Sequence, residues 1–279
     1  MASFHSLRIR IIRSGSSGNA IFLEGGGTRL VVDVGLPAEV VARELASLPD
    51  ATPIDAILLT HEHEDHAKGA GVLSRALGAP VLANEGTLSA AAAILNGAER
   101  ERFATGVPFR VGELEVEAFP VPHDAVEPVG FAISSGPIRV LIATDLGAAD
   151  AELTARTRGV DVLILEANYD LRLLSVSPYP WFLKNRILSP TGHLSNDAAA
   201  RVAVEAASDR LQTVFLVHLS DINNLTPLAR DTVQWALQRE GLGDVRVEAV
   251  RPNGTMPLWS HAAGTATEYV QPTDRRPGV

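Results

Sequence analysis

Thr60-His61-Glu62-His63-Glu64-Asp65-His66 follows directly on the apolar run Ala56-Ile57-Leu58-Leu59. Three imidazoles and an aspartate are thus gathered at the mouth of a strand. In an extended segment His61 and His63 point the same way, because side chains alternate with period two. Asp65 and His66 fall where the chain turns into a helix, so they face a second direction. Neutral imidazole nitrogens and carboxylate oxygens are ordinary ligands of zinc and manganese. The spacing predicts a site for divalent metal rather than a plain polar strand-to-helix loop.

The rest of the chain repeats this pattern more sparsely. Of the eight histidines, His61, His63, His66, His123, His193 and His218 lie in short motifs. Pro122-His123-Asp124 follows a strand-like run at 114–121, Thr144-Asp145-Leu146 follows one at 138–143, and Val217-His218-Leu219 ends one at 213–217. Asp33 ends an early run at 29–33. Polar residues at corresponding strand ends imply one shared site along an edge of the fold. His5 and His261 lie in terminal segments without a motif and read as surface residues.

Further strands are predicted at 7–12, 20–23, 55–60, 80–83, 108–111, 129–134, 160–166 and 245–250. Helices are predicted at 38–48, 66–77, 86–95, 149–157, 196–208 and 227–240. The last has Thr226 as N-cap, Pro227 at its first position and Gly241 as its stop. Strands cluster, helices intervene, and strands cluster again. That order predicts an α/β fold, an αββα sandwich of two mixed sheets with helices on the outer faces. It occupies 1–261, and the polar segment 262–279 reads as a flexible C-terminal tail.

The 279 residues with 46% hydrophobic content suffice for one large two-layered domain. The chain holds no apolar run long enough to span a bilayer and no leader-like N-terminus, so a cytoplasmic protein is expected. Cysteine is absent, which excludes disulfides and thiolate ligands. A net charge of −9 argues against a surface that coats nucleic acid. It does not exclude a nuclease, because bound dications supply positive charge where a phosphate must sit.

With these motifs assembled, the chain resembles the metallo-β-lactamase-fold hydrolases over nearly all of 7–260. The H-x-H-x-D-H motif is matched by His61, His63, Asp65 and His66, and later family positions by His123, Asp145 and His218. Within that superfamily the chain is similar to the YycJ/WalJ type, a bacterial branch associated with DNA exonuclease activity. The matching segments include Ser14-Gly15-Ser16-Ser17-Gly18-Asn19, Glu166-Ala167-Asn168-Tyr169-Asp170, Tyr179-Pro180-Trp181-Phe182-Leu183-Lys184 and Gly192-His193-Leu194-Ser195-Asn196.

The resemblance implies two divalent ions, Mn2+ or Zn2+. His61, His63 and His123 would hold one, Asp65, His66 and His218 the other, and Asp145 would bridge them. Asp33 would orient a ligand, or else be a turn residue. As in the tRNA 3′-processing endonuclease, Glu166 would pair with His193 near a leaving group. The alternative for His193 is a helix cap. Asp65, Glu166 and His193 are the expected catalytic residues, with Asp65 orienting a metal-activated hydroxide.

Ser16, Ser17 and Asn19 sit in a glycine-serine loop that either cradles phosphate or turns a hairpin. Lys184 and Arg186, beside Tyr179 and Trp181, either contact phosphate near stacked bases or lie on an ordinary surface helix. The expected reaction is hydrolysis of DNA from an end. The rivals are hydrolysis of a small ester such as a lactone or thioester, a ribonuclease, and a non-catalytic scaffold, which a complete ligand set disfavours.

Overall fold

The computed structural model describes residues 6–50, 52–207, 210–262 and 268–269. The N-terminal half contributes β1 (Ser6–Arg13), β2 (Ala20–Gly25), β3 (Thr28–Val32), α1 (Ala38–Ala46), β4 (Ala56–Leu58) and α2 (Glu64–Ala67). It continues with α3 (Ala70–Leu77), β5 (Val81–Ala83), α4 (Glu85–Ala90) and β6 (Arg100–Arg102). The next stretch contributes β7 (Phe109–Val111), β8 (Leu114–Pro120), β9 (Val129–Ser135), β10 (Ile138–Ala143), α5 (Ala151–Thr157) and β11 (Val162–Glu166). After it come α6 (Leu171–Val176), α7 (Trp181–Leu188), α8 (Asn196–Ala206), β12 (Thr213–Val217), α9 (Thr226–Arg239) and β13 (Arg246–Ala249). Strands β14 (Trp259–Ala262) and β15 (Glu268–Tyr269) return to the first sheet.

The sheets run β15-β14-β1-β2-β3-β4-β5-β6 and β13-β12-β11-β10-β9-β8-β7. Both are mixed, with parallel pairing over β3 to β6 and over β10 to β13.

The uninterrupted apolar runs of β10, β11 and β12 follow from burial on both faces. Val140, Ile142, Val162, Ile164, Phe215 and Val217 pack into the core shared with the first sheet. Their alternates Leu141, Ala143, Leu163, Leu165, Val214 and Leu216 pack beneath α5, α8 and α9. This confirms the αββα sandwich, and the predicted strands stand within two residues of the observed ones. No helix among the described residues is long and apolar enough to cross a membrane.

Several boundaries differ, each for a local reason. The helix expected at 66–77 is broken at Gly69, whose N–H goes to Val34 O at 2.8 Å and whose Cα leaves no room for a side chain against Leu36 O. The helix expected at 86–95 ends as regular structure at Ala90. The N-cap of α9 is Leu225, with Thr226 already helical. Helices α6 and α7 give no sheet-facing stripe because they bury Leu174 and Ile187 in a small core of their own with Tyr169.

His261, read as a surface residue, is buried in β14, opposite Leu7 of β1 and stacked on Trp259. Of the segment 262–279, Ala262 closes β14 and Glu268–Tyr269 forms β15. Its other residues, like His5, lie outside the described part of the chain.

Candidate metal centre and cleft

The strands β3, β4, β8, β10, β11 and β12 all deliver polar residues at or just beyond their C-terminal ends. Those residues are Asp33, His61, His123, Asp145, Glu166 and His218. Asp33, Asp145 and His218 have φ of 61°, 54° and 55°. Left-handed backbone costs a non-glycine residue of order 1–3 kcal/mol, and aspartate tolerates it better than most. Here it turns the chain sharply out of each strand.

Tautomers follow from the partners of each ring. His66 Nδ1 lies 2.8 Å from Asp33 Oδ2, and Asp33 also accepts from Thr60 N and Thr60 Oγ1. His61 Nδ1 is 3.0 Å from Thr60 Oγ1, His123 Nδ1 is 3.2 Å from Gly192 O, and His218 Nδ1 is 2.9 Å from Glu166 Oε1. Each of these Nδ1 atoms therefore has an outward partner that can accept its proton, which leaves the four Nε2 atoms directed inward. Asp33 is an orienting group rather than a simple turn residue.

His61, His63 and His123 bring one ligand atom each within 4.8 Å of one another, and so do Asp65, His66 and His218. Asp145 adjoins both groups. Its Oδ2 is 2.9 Å from His66 Nε2, and its Oδ1 is 4.0 Å from His123 Nε2. His61 Nε2 and His218 Nε2 are buried without a hydrogen-bond partner. Unpaired buried acceptors are costly, and convergent ones fit cations. The donor set, all N and O, suits zinc or manganese.

The electrostatics divide the two groups. Burial lowers the pKa of His61 strongly and that of His123, the neighbouring imidazoles adding to the effect on His61. Burial also opposes charging of His66 and His218, but Asp145 overcomes it and raises both well above the usual imidazole value. Asp145 is itself held well below the usual carboxylate range by His218 and His66 despite its burial. An ion at the second group therefore displaces protons when it binds.

Glu166 is fully buried. Oε2 accepts from Leu146 N (2.9 Å) and Leu194 N (3.1 Å), and Oε1 faces His193 Nδ1 (2.7 Å) and His218 Nδ1 (2.9 Å). Burial pushes Glu166 up, but His193 draws it below its ordinary value. Conversely Glu166 raises His193 against the effect of burial. Pairing of Glu166 with His193 was expected, and its second partner, His218, was not. The cap of α8 is Ser195, whose Oγ accepts from Ala198 N, so His193 is free of that duty.

A cleft of about 270 Å³ opens on this centre, lined by Ser16, His63, Asp65, Asp145, His193 and Arg186 among others. The remaining predicted substrate contacts lie elsewhere. Ser17 Oγ bonds Asn253 Oδ1. Asn19 is buried behind the centre, its Nδ2 on Asp65 O (3.2 Å) and His66 Nε2 (3.0 Å). Lys184 Nζ donates to Ser175 O at 2.7 Å, away from the cleft. Arg186, at the cleft wall, donates through Nε to Asp124 Oδ2 at 2.8 Å. Asn168 went unassigned in the sequence, yet it lines the cleft and donates to His218 O at 2.8 Å. Its place two residues after Glu166 was the available signal.

The motif's backbone is clamped as well. Asp65 O accepts from Asn19 N (2.8 Å), and a Cβ added at Gly35 would collide with Asp65 O. Gly35→Ala is expected to lower stability by about 1–3 kcal/mol or more and to weaken metal retention. Thermal unfolding and elemental analysis check this, and a variant with wild-type values in both would refute the clamp.

A family profile described as Beta-lactamase superfamily domain matches residues 28–219. The exodeoxyribonuclease YycJ of Bacillus anthracis is 34% identical over 242 residues, 85% of this chain and 91% of that protein. The exodeoxyribonuclease WalJ of Streptococcus pneumoniae is 35% identical over 257 residues, 89% and 96% of the two chains. The fold is shared with the metallo-β-lactamase fold protein YhfI of Bacillus subtilis, with TM-score 0.69, 18% identity and coverage of 90% and 99%. It is shared too with Zn2+-bound PqqB of Methylobacterium extorquens, with TM-score 0.62, 16% identity and coverage of 89% and 99%.

Proposed function

The chain belongs to the β-lactamase superfamily and is a metal-dependent hydrolase, and from that premise we propose that it is a binuclear phosphodiesterase that shortens DNA from an end. The observation that carries this reading is the buried Glu166 carboxylate, which holds His193 at the cleft beside the two ligand groups. The exodeoxyribonuclease relatives support the choice of DNA.

His61, His63 and His123 would hold one ion, Asp65, His66 and His218 the other, with Asp145 between them. When bound, two dications supply a water acidified towards neutral pH and positive charge against a phosphate. The chain's own residues do the rest. Asp65 orients the attacking water. Glu166 keeps the proton on His193 Nδ1 hydrogen-bonded, so that His193 Nε2 can give its proton to the leaving oxygen. Arg186 contacts a neighbouring phosphate. The enzyme would work in the cytoplasm, where DNA lies.

The test is incubation of protein reconstituted with Mn2+ or Zn2+ with end-labelled DNA, end-labelled RNA and a lactone panel. Elemental analysis is expected to give about two ions per chain. DNA is expected to shorten progressively while the lactones survive. Efficient lactone turnover beside intact DNA would overturn the proposal, and faster loss of RNA would transfer it to ribonucleic acid.

A further inference from the structure

The cleft is small for a polymer. Ligand pockets that bury most of a compact ligand run from roughly 300 to 1,000 Å³, and this one is about 270 Å³. A nucleic-acid strand engaged there must run on over the adjoining surface.

Helix α7 forms one wall, with Leu183, Arg186 and Ile187 lining the cleft. The same helix begins with Trp181 and Phe182, which are 77% and 72% exposed. Phe and Trp side chains are on average largely buried, so two adjacent ones in solvent ask for a partner. The unit that carries them is anchored. Tyr169, Leu174 and Ile187 form its core, and Arg186 is tied to Asp124 beside His123. Phe182 precedes Arg186 by four residues, so the two lie on one side of the helix a turn apart, and Trp181 stands at the helix start, two residues after Tyr179, which lines the cleft.

We propose that Trp181 and Phe182 are a stacking platform for unpaired bases of the strand whose phosphate occupies the cleft. The proposal rests on the nuclease reading and adds to it that this stretch of the strand is single. A base pair hides both of its faces against its neighbours, whereas an unpaired base offers a face to an aromatic ring whatever its sequence. The protein carries net charge −9, and Arg186, the one lysine or arginine among the cleft-lining residues described, is paired with Asp124, so attachment through base faces also answers how an acidic protein retains a polyanion.

The test uses the metal-loaded protein and a short, cleavage-resistant phosphorothioate strand, alongside a strand of equal length lacking bases. Trp181→Ala and Phe182→Ala are each expected to weaken binding of the normal strand about tenfold. On the abasic strand, wild type and variants should bind alike. Trp181→Phe should recover most of the loss. Trp235→Ala removes an exposed tryptophan on α9 and should bind as wild type does.

Equal losses on both strands would overturn the platform, as would wild-type affinity in both alanine variants. Conversion of a dimer to a monomer by Trp181→Ala would assign the patch to a second copy instead. If wild type degrades DNA while the variants bind normally, only the platform fails. If wild type binds the normal strand but cleaves no nucleic acid, the nuclease reading fails and the platform stands or falls on binding alone.

Discussion

Asp145→Asn is expected to empty both metal positions and to reduce turnover roughly a thousandfold or more. Asp145 is the carboxylate that reaches both ligand groups, with Oδ2 at 2.9 Å from His66 Nε2 and Oδ1 at 4.0 Å from His123 Nε2. The two groups otherwise offer five neutral imidazoles and the carboxylate of Asp65 to four positive charges. Losing Asp145 halves the negative charge at the centre, and metal catalysis of this type supplies several kcal/mol at about 1.4 kcal/mol per factor of ten.

Asparagine is the informative replacement because it keeps the shape and tolerates φ of 54°. Asp145→Ala should cost about 1 kcal/mol further in stability for its strained backbone. Chelation provides the internal control. A metal bound only by the folded state stabilises it, so wild type should melt lower once the ions are removed. Asp145→Asn should melt at one temperature with and without chelator, having no ion to lose. Two ions per chain in the variant, or a wild-type melting curve indifferent to chelator, would remove Asp145 from the bridging position.

Much of this centre was legible because its residues sit at strand ends, where an apolar run stops on a histidine or aspartate. The period-two reading of His61 and His63, and the ends at His123, Asp145 and His218, needed no tertiary information. The sandwich was legible for the same reason: strands buried on both faces read as unbroken apolar runs.

What was hidden depends on distances between segments. Nothing in the sequence announces that Glu166 divides one oxygen between His193 and His218, or that Asn19 turns inward to His66 and Asp65 O. Lys184 and Arg186 look equivalent in the sequence, two residues apart. On the helix they lie about 200° apart, so Arg186 lines the cleft and Lys184 bonds Ser175 O. Strand β15 was hidden because two residues carry no periodicity.

The double role of Glu166 makes its variants unequal to those of His193. His193→Ala should lower turnover by roughly a hundredfold to ten-thousandfold, the range for loss of a general acid. It should keep both ions, because the two ligand groups do not include it. Glu166→Ala should lose as much turnover and, in addition, about ten- to a hundredfold in affinity at the second ion, because His218 loses the carboxylate that fixes its ring. The double variant should match Glu166→Ala alone, since the pair acts as one unit.

The pH profile separates acid from scaffold. Turnover requires His193 to carry its proton, so activity must fall as pH rises through the His193 pKa. Glu166 holds that pKa above the ordinary imidazole value, against the effect of burial. In Glu166→Gln the charge is gone, the imidazolium loses its support, and the alkaline fall should move to lower pH. In His193→Ala that limb should vanish. The comparison is made at saturating metal, so that both proteins carry the ions and only the carboxylate differs. An alkaline limb that stays in place in Glu166→Gln, or loss of metal from His193→Ala, would assign the proton to another group and make His193 a ligand.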